Sequence, residues 1–315
     1  MKILVTGATG FIGKRFVEKL IEGGVSPVCL ARKTSKTEHL LKAGLKVVYS
    51  EISDLKGLSA IFSSERPEIV VHSAARVSDR DKADIISSNI AGTRNICEAS
   101  LKYDVKRLVY ISSIAVVCGH NNVELTDEME YKAHNLYGET KLEAEKIAVE
   151  YREKGLPAAI LRPCMVYGPG EPHALDKIFG FIRKRLIPIP GLRDVTDKLQ
   201  LVHIDNLVHA MFLAMEKEEA LTGTFTIADK EIITIREFVK IASEELAVPG
   251  PVVIPGWMFK IAFIIPAVKI KYDRIFKNRT FDTSRAVNVL GYSPSVSTVE
   301  GLRKTARSWA LKFNK

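Results

Sequence analysis

Residues 2–13 read Lys2-Ile3-Leu4-Val5-Thr6-Gly7-Ala8-Thr9-Gly10-Phe11-Ile12-Gly13, an apolar run that breaks into three spaced glycines and opens a helical stripe of Ile12, Phe16, Val17, Leu20 and Ile21. Glycine at the three positions allows a tight turn, lets backbone N–H groups come close to an anion, and lets the new helix settle against the strand it follows. A helix amino terminus carries roughly half a positive charge, which suits a bridging pyrophosphate. In a strand-turn-helix unit this combination predicts a dinucleotide-binding turn made by Gly7, Thr9, Gly10, Phe11, Ile12 and Gly13.

Working outward, Val28 to Leu30, Val47 to Tyr49, Ile69 to His72, Leu108 to Ser112 and Ala159 to Arg162 are further short, nearly continuous apolar runs. Strands buried on both faces look like this, and the helix-length segments between them imply right-handed crossovers in a parallel sheet. Helices are expected near 11–23, 34–43, 55–64, 83–103 and 137–154, the last stopping at Gly155 with Pro157 beyond. After about residue 170 prolines punctuate shorter segments, although Leu201 to Asp205 and the apolar-periodic stretch behind it read as one more βα unit. The expected fold is α/β, a Rossmann-like doubly wound parallel sheet over residues 1–170 with 201–216 returning to it. Residues 171–200 and 217–315 form a smaller, irregular α/β substrate-binding region.

Composition narrows the function. The 315 residues are 46% hydrophobic and 26% charged with no biased tract, which excludes disordered and fibrous classes. The net charge of +9 comes from basic residues spread along the chain without a recognition helix, a zinc finger or an RNA-binding signature, so no nucleic-acid partner is expected. Cys29, Cys97, Cys118 and Cys164 are scattered and read as reduced thiols. His72 reads as a satisfied structural histidine, and nothing has metal-ligand spacing, so no metal is assigned. Met1-Lys2-Ile3-Leu4-Val5 runs straight into a strand without a secretory pattern, and a cytoplasmic location is expected.

The second strand ends Cys29-Leu30-Ala31-Arg32-Lys33, where a carboxylate would ordinarily hold both ribose hydroxyls of NAD. A guanidinium can instead clasp a 2'-phosphate, so Arg32 and Lys33 favour NADP, with NAD remaining possible. The helix opening Tyr137-Gly138-Glu139-Thr140-Lys141 places Tyr137, Lys141, Ala144, Ala148 and Tyr151 on one face, while Glu139, Glu143, Lys146, Glu150 and Glu153 supply the solvent side. An ammonium on the inward face needs a reason. Lowering the pKa of the Tyr137 hydroxyl toward the range of a general acid or base is one. Ser113, after the fifth strand, is placed to donate to a substrate oxygen.

These stretches, with HSAA at His72, NIAGTRNI at Asn89, YISSIAVVCG at Tyr110, LRPCMVYGPG at Leu161, VHIDNL at Val202 and LGYSP at Leu290, resemble the extended short-chain dehydrogenase/reductase superfamily along essentially the whole chain. The resemblance implies a bound NAD(P), a homodimer, and a Ser-Tyr-Lys triad at Ser113, Tyr137 and Lys141 with Asn89 as an accessory. It also implies that Lys141 holds the nicotinamide ribose and that Pro163 to Val166 lie near the carboxamide, with Ala74, Ala75 and Ser112 also lining the cofactor. Glu51 and Ile52 stand where an adenine-contacting Asp is usual. Val117-Cys118-Gly119 replaces the usual V-Y-G, which leaves open whether Ser112 or Ser113 faces the substrate.

Within that superfamily the chain lacks the Thr-Asp-Glu of nucleotide-sugar dehydratases, having Ser113-Ile114-Ala115, and Thr196-Asp197-Lys198-Leu199-Gln200-Leu201 replaces the Arg-Asp-Phe pattern of epimerases. The form looks more like the 3β-hydroxysteroid dehydrogenase and dihydroflavonol reductase branch. The expected function is NAD(P)-dependent interconversion of a secondary alcohol and a ketone by hydride transfer; the alternative is nucleotide-sugar epimerisation by the same triad with a retained cofactor. The apolar segment Trp257 to Pro266 can line the cleft, pack in the second region's core, form an oligomer contact, or, with the lysines running to residue 271, touch a membrane surface.

Overall fold

A computed structural model of the chain describes residues 1–77, 81–120, 124–172, 174–190, 198–255, 258, 261, 264–265 and 279–313. The sheet holds β1 (Ile3–Thr6), β2 (Val28–Ala31), β3 (Val47–Tyr49), β4 (Ile69–His72), β5 (Arg107–Ile111), β7 (Ala158–Pro163) and β12 (Thr224–Ile227) in the order β12-β7-β5-β4-β1-β2-β3. All of its pairings are parallel, as buried, β-branched strands joined by crossover helices require. The register sets Thr6 opposite His72 and His72 opposite Tyr110, so three polar side chains stand abreast on neighbouring strands.

One face is covered by α1 (Phe11–Glu22) and α8 (Ile204–Glu216), the other by α3 (Leu55–Glu65), α5 (Gly92–Lys102) and α6 (Leu136–Glu153). Helix starts are chemically marked. Asp54 caps α3 by accepting from Gly57 N at 3.1 Å, and Asn135 caps α6 by accepting from Gly138 N at 2.8 Å. The expected stop of α6 is as read, since the chain leaves Glu153 through Gly155 at φ 98°. The expected helix over 34–43 shortens to α2 (Glu38–Lys42).

Three expectations change. The helix expected over 83–103 divides into α4 (Lys82–Ile86), a wide turn over Ser87–Ala91 and α5, because Asn89 turns inward to hydrogen-bond the chain at Arg76. The strand expected at 201–205 is β11 (Leu201–His203), and it pairs with β8 (Met165–Tyr167) rather than joining the main sheet, although α8 behind it does return to pack against α1. Thr224–Ile227, read from sequence as part of the substrate region, is instead the seventh strand of the main sheet, paired with β7.

The remaining elements include the short strands β6 (Glu124–Leu125), β9 (Pro188–Pro190) and β10 (Lys198–Leu199), and α7 (Ala174–Arg183), α9 (Ile235–Glu245) and the last helix, α10 (Thr298–Phe313), these helices packed around Phe179, Phe238 and Trp309 as a third core cluster. Of the apolar segment 257–266, only Met258, Ile261, Ile264 and Ile265 are described, and all four are exposed; the rest of 257–271 lies outside the described residues. Among the described residues no helix is long and apolar enough to cross a membrane, and no cluster of metal-ligating side chains occurs.

The first turn is held by close approach. A Cβ on Gly13 would lie 2.2 Å from the carbonyl oxygen of Gly7 and 2.8 Å from Ser73 Oγ. Gly13→Ala therefore forces α1 off the sheet, and a loss of about 2 kcal/mol or more is expected, at the upper end of ordinary overpacking. Urea unfolding of the two proteins measures it, and an unchanged midpoint would mean that the turn relaxes freely.

Candidate active site

The carboxyl ends of β1 to β4 enclose a crevice of about 170 Å³ lined by Gly7, Thr9, Gly10, Ala31, Arg32, Ser35, Glu51, Ile52, Ala74 and Ala75 among others. Eight of the residues expected to bind a cofactor meet here: Gly7, Thr9, Gly10, Arg32, Glu51, Ile52, Ala74 and Ala75. The start of α1 is left open to an anion. No side chain caps it at Gly10, and its first turn carries no acid. A dinucleotide's adenosine half and pyrophosphate fit this donor set, with Arg32 and Ser35 beside the end of β2. Lys33 is exposed and does not line the crevice, Gly13 is packed beneath the turn, and Phe11 borders a neighbouring cavity of about 460 Å³ shared with Lys14, Pro169, His203 and Lys304. Pro163 ends β7, and Val166 lies in β8 beside Val202.

Along the edge of the sheet, the two serines after β5 part company. Ser112 is buried and donates to the Glu145 carboxylate. Ser113 is half-exposed, accepts from Ala115 N at 3.2 Å and interacts with the Tyr137 side chain. Burial pushes the pKa of the Tyr137 hydroxyl up, and the Ser113 contact draws it down.

Lys141 is buried one turn further along α6. Its Nζ donates to Tyr110 Oη at 2.8 Å and to the Ile111 carbonyl at 2.7 Å, and it lies 4.4 Å from the Tyr110 ring centroid. Burial lowers its pKa to about 7, with the Glu145 carboxylate acting the other way. The expectation that Lys141 acidifies Tyr137 is therefore not met in this arrangement. The ammonium is turned toward β5, and the desolvated hydroxyl of Tyr137 has its pKa raised.

Asn89 is not at the edge of the crevice but beneath it. Its amide donates to the Arg76 carbonyl at 3.0 Å and to Thr140 Oγ1 at 2.9 Å, and its oxygen accepts from Arg76 N at 2.8 Å, which ties the chain after β4 to α6.

The sequence profile of the NAD dependent epimerase/dehydratase family matches residues 3–228. The chain belongs to this family. It is accordingly an enzyme of the extended short-chain dehydrogenase/reductase type. It is 27% identical to the UDP-glucose 4-epimerase of Vibrio cholerae, over 99% of this chain and 97% of that one. It is equally 27% identical to a 3 beta-hydroxysteroid dehydrogenase/Delta 5-->4-isomerase of Mycobacterium tuberculosis, over 96% and 88%. Among solved structures, the UDP-glucose 4-epimerase of Thermotoga maritima with UDP-glucose superposes with a TM-score of 0.80 at 27% identity, covering 99% of this chain and 100% of that one. The UDP-glucuronic acid 4-epimerase of Bacillus cereus, solved with NAD, shares the fold at 23% identity and a TM-score of 0.79, covering 100% of each chain.

Family membership leaves one feature of α6 to be explained by packing alone. Glu145 is fully buried. It accepts from Arg162 Nη2 at 2.6 Å, Arg162 Nε at 2.9 Å and Tyr131 Oη at 2.9 Å, besides Ser112. Arg162 in turn donates to the Asp127 carbonyl at 2.9 Å. Sequence reasoning passed over this group, although Glu145 stands at i+4 from Lys141 on the face that also carries Ala148. Removing one partner of a buried pair strands the other charge at a cost of about 3–5 kcal/mol. Glu145→Gln is expected to lower the denaturation midpoint accordingly, and a change too small to measure would show that the pair is solvated.

Proposed function

We propose that the chain interconverts a secondary alcohol and a ketone with NADP(H), Tyr137 exchanging a proton with the substrate oxygen and Ser113 donating a hydrogen bond to that oxygen. The observation that carries this reading is the pairing of Ser113 with Tyr137, with Ser112 taken up by Glu145. Bound at the crevice, the dinucleotide supplies hydride chemistry at its nicotinamide ring. The protein's part is to place the carbonyl carbon near that ring and to settle the proton. In the reducing direction the substrate oxygen would gain negative charge; Tyr137 O–H would deliver its proton there, and Ser113 would donate a hydrogen bond to that oxygen. The raised pKa of Tyr137 suits a donor that keeps its proton at neutral pH.

NADP is favoured by what surrounds the end of β2. Ala31, Arg32 and Ser35 line the crevice, so a 2'-phosphate finds a guanidinium and a hydroxyl there instead of a repelling carboxylate. A second reading, nucleotide-sugar epimerisation, is favoured by the similarity to UDP-glucose 4-epimerases. Net turnover separates the two, since an epimerase regenerates its cofactor in each cycle and an alcohol dehydrogenase consumes it.

Tyr137→Phe is expected to reduce kcat at least about a hundredfold while leaving NADPH affinity nearly unchanged; retained turnover on a panel of carbonyl compounds and sugar nucleotides refutes the assignment. Arg32→Ala is expected to weaken NADPH by about tenfold or more, the loss of one charge-assisted contact, and NADH little. Equal losses in a fluorescence titration would show that the guanidinium ignores the 2'-phosphate.

A further inference from the structure

Tyr110 is the penultimate residue of β5, buried between Lys141 and His72, with its ring stacked on the imidazole at 5.5 Å between centroids. A phenylalanine would fill the same space, so the hydroxyl calls for an explanation: a buried O–H left unpaired is destabilising. Its partners form a line across the sheet. Ala74 N donates to Thr6 Oγ1 at 3.3 Å, and that oxygen lies 2.7 Å from His72 Nδ1. Thr93 Oγ1 gives its proton to the Asn89 carbonyl at 2.7 Å and so can only accept from His72 Nε2, which leaves Nδ1 to accept from Thr6. His72 is therefore an Nε2–H tautomer and donates to Thr93 Oγ1 at 3.1 Å. Burial, with the nearby charge of Lys141, brings its pKa to about 3 and keeps it neutral. With its own proton spent on the Asn89 carbonyl, Thr93 can only accept from the neighbouring Tyr110 hydroxyl as well. With every proton in the line committed, what Tyr110 presents to Lys141 is an oxygen lone pair.

We infer that Tyr110 is the positioning residue for Lys141, its hydroxyl oriented through Thr93 and His72 so that the oxygen, together with the Ile111 carbonyl, fixes where the ammonium stands. The inference rests on the proposed reaction together with the family resemblance, which makes Lys141 the third member of the triad with Ser113 and Tyr137. The groups that face Lys141 are Glu145 from α6, Tyr110 from β5 and neutral His72 from β4, with Tyr137 of α6 and Cys97 of α5 near the Tyr110 hydroxyl and Arg162 of β7 holding Glu145. None of the other contacts substitutes for Tyr110. Glu145 is already taken up by Arg162, Tyr131 and Ser112.

The test is Tyr110→Phe in the full chain, with the Lys141 ammonium followed by carbon-13 NMR of lysine-labelled protein and its resonance identified by its disappearance in Lys141→Met. A neutral acceptor removed from a charged donor favours the uncharged amine, so the titration midpoint is expected to fall by about one to two pH units. A folded Tyr110→Phe protein in which Lys141 titrates as before overturns the proposal, and so does a protein that only melts at lower temperature. Thr93→Val keeps the shape and removes the oxygen that takes the Tyr110 proton. It is expected to move the midpoint in the same direction by less, and absence of any shift there is equally fatal if Tyr110→Phe does not fold. Because the readout is a titration, its failure is distinct from retained turnover in Tyr137→Phe, which would sink the proposed reaction instead.

Discussion

How closely the end of β1 approaches the end of β4 decides the rest. Gly7 adopts φ 72°, and a Cβ there would lie 2.7 Å from Ala74 N, while the carbonyl of Gly7 is pressed against Gly13 at the start of α1. Only glycine tolerates both the left-handed backbone and the contact. The approach holds the open amino terminus of α1 above the sheet edge and keeps Thr6 level with His72. In a parallel sheet all strands end at one edge, so one local constraint brings the adenosine crevice, Ser113 and α6 together.

Much of this was legible because it is local. The glycine turn, the apolar strands, the stop of α6 at Gly155 and the face carrying Lys141, Ala144, Ala148 and Tyr151 follow from spacing alone, and the structure has them. Where the reading missed, the deciding partner is distant in sequence. Thr224–Ile227 is too short and too ordinary to advertise that it pairs with Ala158–Pro163. Asn89 widens a helix because its partners lie at Arg76 and Thr140. Glu145 looks like one of several glutamates on α6 until Arg162, seventeen residues away, is placed against it. The choice between Ser112 and Ser113 turned on that same pair, since a buried carboxylate claims the first serine and leaves the second for Tyr137.

The two charges that α6 buries are treated differently, and the difference bears on chemistry. Glu145 is matched by a guanidinium in a forked contact and two hydroxyls, which satisfies it fully and makes it rigid. Among the described residues Lys141 pairs with no carboxylate; it donates to a phenol oxygen and a backbone carbonyl. Had Glu145 paired with Lys141 directly, the ammonium would be held as firmly charged as a structural lysine and tied to the helix interior. Committing Glu145 to Arg162 leaves only its field at Lys141, which opposes desolvation without cancelling it, and the proton affinity settles near 7. A buried ammonium in that condition burdens the fold at neutral pH. It is intelligible under the proposed reaction, in which a group of the triad changes its interactions when a ligand arrives.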